Sequence, residues 1–245
     1  MLPPAWLTSK PIAHRGLHDA AAGAPENSLA AFARAAEAGY PIELDVQVSR
    51  DGAAVVFHDD TLDRMIGDAR KVSRQLATEL KELSLLGSDQ SVPLLEQVLD
   101  LVADRVPLII ELKNPRMHVG RLETAVARAL KNYDGACAVS SFNARTVAWC
   151  ARHLPHLPRG QNLMRFRGIS ILPDGWHPFA LRNLFTNRSG RPQFFGCSID
   201  SLPHPGAERM RNKGILLIVF TVRNRQQQAF ANAHADNIFF QEFTP

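Results

Sequence analysis

Cysteine is scarce: Cys137, Cys150 and Cys197 are the only three among 245 residues. A sparse, odd set excludes a disulfide framework, and Cys137 and Cys197, lying in apolar runs, read as small core residues. Residues Met1 to Lys10 have neither the basic segment nor the apolar one that directs export. The longest apolar stretch, Ile215 to Phe220, falls far short of the ~20 residues a bilayer span needs. A cytoplasmic protein without stable membrane insertion is therefore expected. No dense run of Lys and Arg occurs, so nucleic acid is not an expected partner. The net charge of +4 suits an anionic small substrate without specifying one. A Gly-rich phosphate loop, a Ser-centred elbow and the Cys/His spacing of a zinc site are also missing. So are internal repeats and a linker, and residues 1–245 are read as one domain. Nothing in the pattern specifies an oligomeric state.

What is present suits a soluble globular chain of one barrel's length, 45% hydrophobic and 21% charged. Nine short apolar or β-branched runs recur, at 11–14, 42–48, 55–58, 107–113, 137–141, 159–163, 194–199, 215–222 and 236–241. Helical periodicity fills most of the gaps: 28–38 with Asn27 or Ser28 as its cap, 94–103, 122–130, 145–152 and 223–233. The second and third runs are too close for a parallel crossover. Asp51-Gly52 between them marks a hairpin turn, so the third run is a return stroke. Eight strands remain, which predicts an α/β fold: a (β/α)8, or TIM, barrel with a small insertion after the second strand. A doubly wound sheet is the competing architecture, but its Gly-rich first turn is absent. Residues 59–91 are expected to form the insertion over the barrel mouth. Residues 165–192, rich in Arg, Gly, Pro and Trp, are expected to form a loop with a short helix.

Ionisable residues stand at the carboxyl ends of the predicted strands, the face that carries TIM-barrel active sites. His14 and Arg15 follow the first strand, Glu43 and Asp45 lie two apart on the second, and Glu111 and Lys113 repeat that spacing on the next barrel strand. Three carboxylates converging there would repel one another. A hard divalent cation, Mg2+ or Ca2+, is the natural partner of an all-oxygen set. Plain salt bridges, Glu111 to Lys113 and Glu43 to Arg15, are the alternative. In the hairpin, residues whose numbers sum to about 101 or 102 lie opposite, which carries His58 to the same rim as His14. Two imidazoles suit general acid–base work, and Arg15 and Lys113 suit phosphate oxygens. The combination fits phosphoryl transfer better than a glycosidase, which needs two carboxylates and usually no metal. The other seven histidines fall in loops or polar helices and read as surface residues.

His14-Arg15-Gly16, Pro25-Glu26-Asn27-Ser28, Ile42-Glu43-Leu44-Asp45-Val46, Asp51-Gly52 and Val55-Val56-Phe57-His58-Asp59 resemble, in order and spacing, the signature of the glycerophosphodiester phosphodiesterase family. Leu62, Arg64, Pro93-Leu94-Leu95-Glu96, Ile110-Glu111-Leu112-Lys113, Ser141-Phe142 and Thr221-Val222 extend the match. The resemblance implies a TIM barrel that hydrolyses glycerophosphodiesters to an alcohol and sn-glycerol 3-phosphate. It implies Glu43, Asp45 and Glu111 as metal ligands, His14 and His58 as the acid–base pair, and Arg15 and Lys113 as phosphate-binding residues. Glu26 and Asn27 match an element beside the site. Two departures bear on glycerol and head-group contacts: Phe220-Thr221-Val222 stands where the family has Trp-Thr-Val, and the last strand runs into Gln241-Glu242 rather than an acidic Thr-Asp-like ending. Two further readings are carried forward. A lysophospholipid substrate would need an apolar channel, which Phe166, Ile169, Ile171, Leu172, Trp176 and Phe179 could line. A non-catalytic phosphodiester-binding barrel should have lost a ligand or a histidine, and none is missing.

Overall fold

The computed structural model describes residues 2–114, 119–163, 189–203 and 205–245. Nine strands form one sheet: β1 (Ile12–His14), β2 (Ile42–Val48), β3 (Ala54–Val56), β6 (Leu108–Leu112), β7 (Cys137–Ser141), β8 (Arg159–Leu163), β9 (Phe194–Ser198), β10 (Leu216–Val222) and β11 (Asn237–Phe240). The small pair β4 (Thr61–Leu62) and β5 (Asp68–Lys71) stands apart from it. Strands β1, β2 and β6 to β11 each pair in parallel with the next, and β1 pairs with both β11 and β2, so the sheet closes into an eight-stranded TIM barrel. The pairing of β1 with β11 rules out the doubly wound sheet, which stays open. β3 runs antiparallel to the far half of β2, with Val46 opposite Val56 and Gln47 opposite Val55. Both pairs sum to 102, the expected hairpin register.

β3 ends two residues before the apolar run does. The chain stays tied to β2 beyond that end: the Phe57 N–H donates to the Asp45 carbonyl at 2.9 Å, and the Gln47 amide donates to the carbonyls of Phe57 and Asp59, at 3.0 and 2.6 Å. These bonds hold His58 at the rim.

Strand alternation sends two sets of side chains in opposite directions. The inner set, Ile12, Ile109, Ala138, Phe194, Ile218 and Phe239, fills the barrel together with Leu7. Leu7 arrives on the short helix Trp6–Ser9, whose chain is tied to the start of β11 by the Asn237 amide, donating to the carbonyls of Leu7 and Lys10. The outer set packs on the helix faces, among them Phe32 and Ala35 of Leu29–Glu37, Val98 and Val102 of Leu95–Val102, and Val126 of Arg121–Ala129. Each fully buried Phe, Leu or Val contributes roughly 1.5–3 kcal/mol. Ser28 rather than Asn27 caps the helix Leu29–Glu37, its hydroxyl accepting from the Ala31 N–H at 3.1 Å.

The 59–91 excursion has its own apolar cluster of Val55, Phe57, Leu62, Met65, Val72, Leu80, Leu85 and Val92. Gln90 tethers it to the barrel by accepting from the Ala30 N–H at 3.0 Å. Most of the expected 165–192 loop, with the apolar residues named for a lipid channel, lies outside the described residues. Among the described residues no helix is long and apolar enough to cross a membrane.

Candidate active site

The parallel register alone brings the carboxylates together. His14 pairs with Glu43 across β1 and β2, and Asp45 pairs with Glu111 across β2 and β6. One oxygen from each of Glu43, Asp45 and Glu111 lies within 4.8 Å of the other two, and all three residues are buried. A cavity of about 350 Å3 opens on them, walled also by His14, Arg15, His58, Lys113, Asn162 and Phe220.

Two cations reach into the cluster. Lys113 Nζ stands 3.0 Å from Glu111 and 3.4 Å from Asp45. Arg15 Nε stands 3.4 Å from the other Asp45 oxygen, while its NH1 donates to Glu26 at 2.7 Å. The salt-bridge alternative is thus half right: Lys113 does pair with Glu111, but Glu43 receives the backbone N–H of Arg15, at 3.1 Å, and not its guanidinium. That contact follows from an unusual backbone, since Arg15 lies in the left-handed region at φ +59°. Gly16, at φ +82°, continues the turn, and a Cβ on it would come within 2.8 Å of the Ala31 backbone. Glycine is required there on both counts. Asn27, at φ +57°, donates to Asp45 at 2.9 Å and accepts from the Asp45 N–H at 3.3 Å.

Each histidine is oriented through Nδ1. His14 faces Gln241 Oε1 at 2.6 Å and His58 faces Asp59 Oδ1 at 2.5 Å. The second Asp59 oxygen accepts from Arg64, which also forks onto both oxygens of Glu26. A chain of alternating charge therefore runs from Arg15 through Glu26, Arg64 and Asp59 to His58. Neither Asp59 nor Gln241 is among the site residues expected from the sequence. Asp59 could have been suspected from its place beside His58; Gln241 offers no such signal.

Burial, reinforced by the Arg15 charge, pushes the His14 imidazole down to about 3. Burial also lowers His58, against the pull of Asp45. Glu43 is held well above the usual carboxylate range by burial and then by Asp45 and Glu111. Burial pushes Glu111 up to about 7, with Lys113 opposing and Asp45 adding to it. Asp45 goes the other way: burial is outweighed by Lys113 and Arg15, which hold it well below the ordinary range. Two of the three carboxylates thus resist ionisation while no cation is present. Three buried carboxylates at this spacing, whose full ionisation would exceed the charge of Lys113 and Arg15, fit a hard oxygen-seeking cation.

Comparison with known proteins agrees with the geometry. The glycerophosphoryl diester phosphodiesterase family profile matches residues 14–240. The chain belongs to that family. It is therefore a phosphoric diester hydrolase. A glycerophosphodiester phosphodiesterase of Caldanaerobacter subterraneus subsp. tengcongensis is 32% identical over 238 residues, covering 93% of this chain and 91% of the relative. Among solved structures, an Oleispira antarctica phosphodiesterase in complex with the product sn-glycerol-3-phosphate superposes with a TM-score of 0.78, covering 96% of this chain and 93% of that one at 24% identity. The glycerophosphodiester phosphodiesterase of Thermotoga maritima gives 0.71 at 26% identity, covering 94% and 92%.

Of the two departures read in the sequence, Phe220 falls on the cavity wall and Gln241 stands behind His14. Phe220 lies edge-on to Phe142 with centroids 5.9 Å apart. Gln241, in place of an acid, holds His14 with a neutral amide. One cavity residue, Asn162, lies outside the expected site residues, although its signal is in the sequence: a buried strand reading Gly160-Gln161-Asn162 holds amides where apolar residues would suffice.

Proposed function

We propose that this phosphodiesterase hydrolyses glycerophosphodiesters to an alcohol and sn-glycerol 3-phosphate, with one divalent cation, Mg2+ or Ca2+, held by Glu43, Asp45 and Glu111. The observation that carries the proposal is the convergence of three buried carboxylates, two cationic side chains and two oriented imidazoles on one cavity. The product seen in the Oleispira phosphodiesterase supports the glycerol assignment.

When bound, the cation supplies positive charge for the carboxylates and for a phosphoryl oxygen. The chain's own groups do the rest. Arg15 and Lys113 receive the phosphoryl oxygens and stabilise the charge that accumulates there during attack. Glu26 fixes the Arg15 fork, and Asn27 fixes Asp45. A neutral imidazole at the rim takes the proton of the attacking oxygen, and a protonated one returns a proton to the departing alkoxide. His14 and His58 fill these two roles. Phe220 packs on the carbon skeleton of the bound glycerol. The protein is placed in the cytoplasm as one domain spanning 1–245, with 59–91 an insertion at the barrel mouth; its buried free thiols suit a reducing compartment.

The cation-loaded protein should convert glycerophosphocholine to choline and sn-glycerol 3-phosphate. Release of phosphocholine and glycerol, or no release, would contradict the proposal.

A further inference from the structure

Asn162 is buried, only 4% exposed, on the inner face of β8. Its amide nitrogen donates to Glu111 Oε2 at 3.0 Å and lies 3.4 Å from Ser140 Oγ. Glu111 and Ser140 sit on β6 and β7, so the side chain spans toward two neighbouring strands. Nδ2 is the end that faces Glu111, and a carboxylate holding a cation can only accept, so in the cation-loaded protein the amide stays this way round. The oxygen is thereby fixed, and it has no hydrogen-bond partner among the described residues. An unmet buried acceptor costs about 1–3 kcal/mol, and native sites seldom retain one without a use.

The place of that oxygen is built. It lies over Gly196 of the paired strand β9, opposite Asn162 in the register. A Cβ on Gly196 would stand 2.3 Å from Asn162 Oδ1 and 3.2 Å from the Phe220 ring. Glycine at 196 thus leaves the notch in which the oxygen sits. The same cavity holds His14, Arg15 and Lys113, with Phe142, Phe220 and Phe239 on its walls. Aromatic faces suit the carbon skeleton of a small polyol, and the unpaired Asn162 oxygen in the notch beside Phe220 suits one hydroxyl.

We propose that Asn162 is a specificity residue: its Oδ1 accepts a hydrogen bond from a hydroxyl of the glycerol arm, while its Nδ2 holds Glu111. The assignment rests on the glycerophosphodiester reading above. It places the glycerol arm on the β8–β9 side of the cavity and the leaving alcohol on the His58 side, where a second hollow is lined by Gln47, Asp60, Asn114 and Ser141.

The test compares binding of sn-glycerol 3-phosphate with propyl phosphate, which lacks both free hydroxyls. It uses calorimetry on cation-loaded wild type, Asn162→Leu and Gly196→Ala. Asn162→Leu removes the acceptor and the Glu111 contact together; Gly196→Ala displaces the oxygen by crowding and leaves the amide in the chain. Wild type should prefer sn-glycerol 3-phosphate by about tenfold, one net hydrogen bond. Both variants should cut that preference to about twofold or less. The ratio cancels any loss of phosphate affinity through Glu111, which both ligands share. Equal binding of the two ligands by wild type overturns the proposal, as does a preference kept in either folded variant. If wild type hydrolyses glycerophosphocholine but a variant keeps the preference, only the Asn162 assignment fails. If wild type binds neither ligand and releases no product, the functional reading fails with it.

Discussion

Nδ1 of His58 lies 2.5 Å from the Asp59 carboxylate, whereas Nδ1 of His14 meets the neutral amide oxygen of Gln241 at 2.6 Å. Both partners accept, so both rings carry their proton on Nδ1 and present Nε2 to the cavity. The partners differ in charge. A carboxylate steadies a protonated ring, and an amide oxygen does so only weakly. Replacing Asp59 by Asn should therefore lower kcat by about 10–100-fold with little change in KM, the usual cost of losing the group behind a working histidine. An unchanged kcat in steady-state assays would leave Asp59 without a role.

Loss of either ring should be more severe. His14→Ala and His58→Ala are each expected to lower kcat by about 10²–10⁴-fold, the contribution of one positioned proton donor or acceptor. Melting temperature should scarcely fall. Near-full activity in both variants would remove the acid–base assignment.

Glu43 and Glu111 have folded pKa values above their ordinary 4.5, in the case of Glu111 about 7. For an acid this means that the folded chain holds the proton more tightly than the unfolded one. Stability of cation-free protein should therefore decline as pH rises from the ordinary value through the folded one. Glu43→Gln removes that penalty. In chelator at neutral pH it should melt no lower than wild type, and addition of Mg2+ or Ca2+ should no longer raise its Tm. Wild type at 100 times the Kd should gain about 2.7 kcal/mol. A Tm gain of equal size in Glu43→Gln, followed by differential scanning fluorimetry, would sink the ligand assignment.

Glu26 behaves oppositely. Burial raises it, but Arg64 and Arg15 together hold it below its ordinary value of 4.5. Its pairing contributes stability above that value and loses it as pH falls through the lower folded pKa. Arg64→Met should thus be less stable than wild type at neutral pH, and the gap should narrow in acid. Because Arg64 also holds Asp59, the variant should lose kcat as well. Urea denaturation at both pH values, with a kinetic assay, checks the pair; a gap that widens in acid would contradict it.

Gly16→Ala should destabilise the fold by more than about 1 kcal/mol, since φ +82° strains any side chain and the new Cβ meets Ala31 backbone at 2.8 Å. The loss should appear as a lower urea midpoint with an unchanged slope.

Much of this was legible in the chain itself. Strands β2, β7 and β8 occupy the expected residues, because apolar runs bounded by breakers leave little choice of boundary. The hairpin register followed from Asp51-Gly52 alone. Glu43, Asp45 and Glu111 announced themselves as charges inside strands that bury everything else. Other parts depend on distance in three dimensions. Gln241 reaches His14 only because the barrel closes β11 onto β1, 227 positions away in sequence. Leu7 fills the barrel from a segment with no strand or helix signal of its own. Arg64 stands out as a motif residue, but its link between Glu26 and Asp59 appears only when the excursion folds back on the rim.

The most direct measurement is turnover of glycerophosphocholine by protein stripped of divalent ions, with Mg2+ or Ca2+ then titrated in. The account predicts no sn-glycerol 3-phosphate from the stripped protein, recovery on saturation of one site per chain, and no recovery in Asp45→Asn. Undiminished turnover in excess chelator would contradict it.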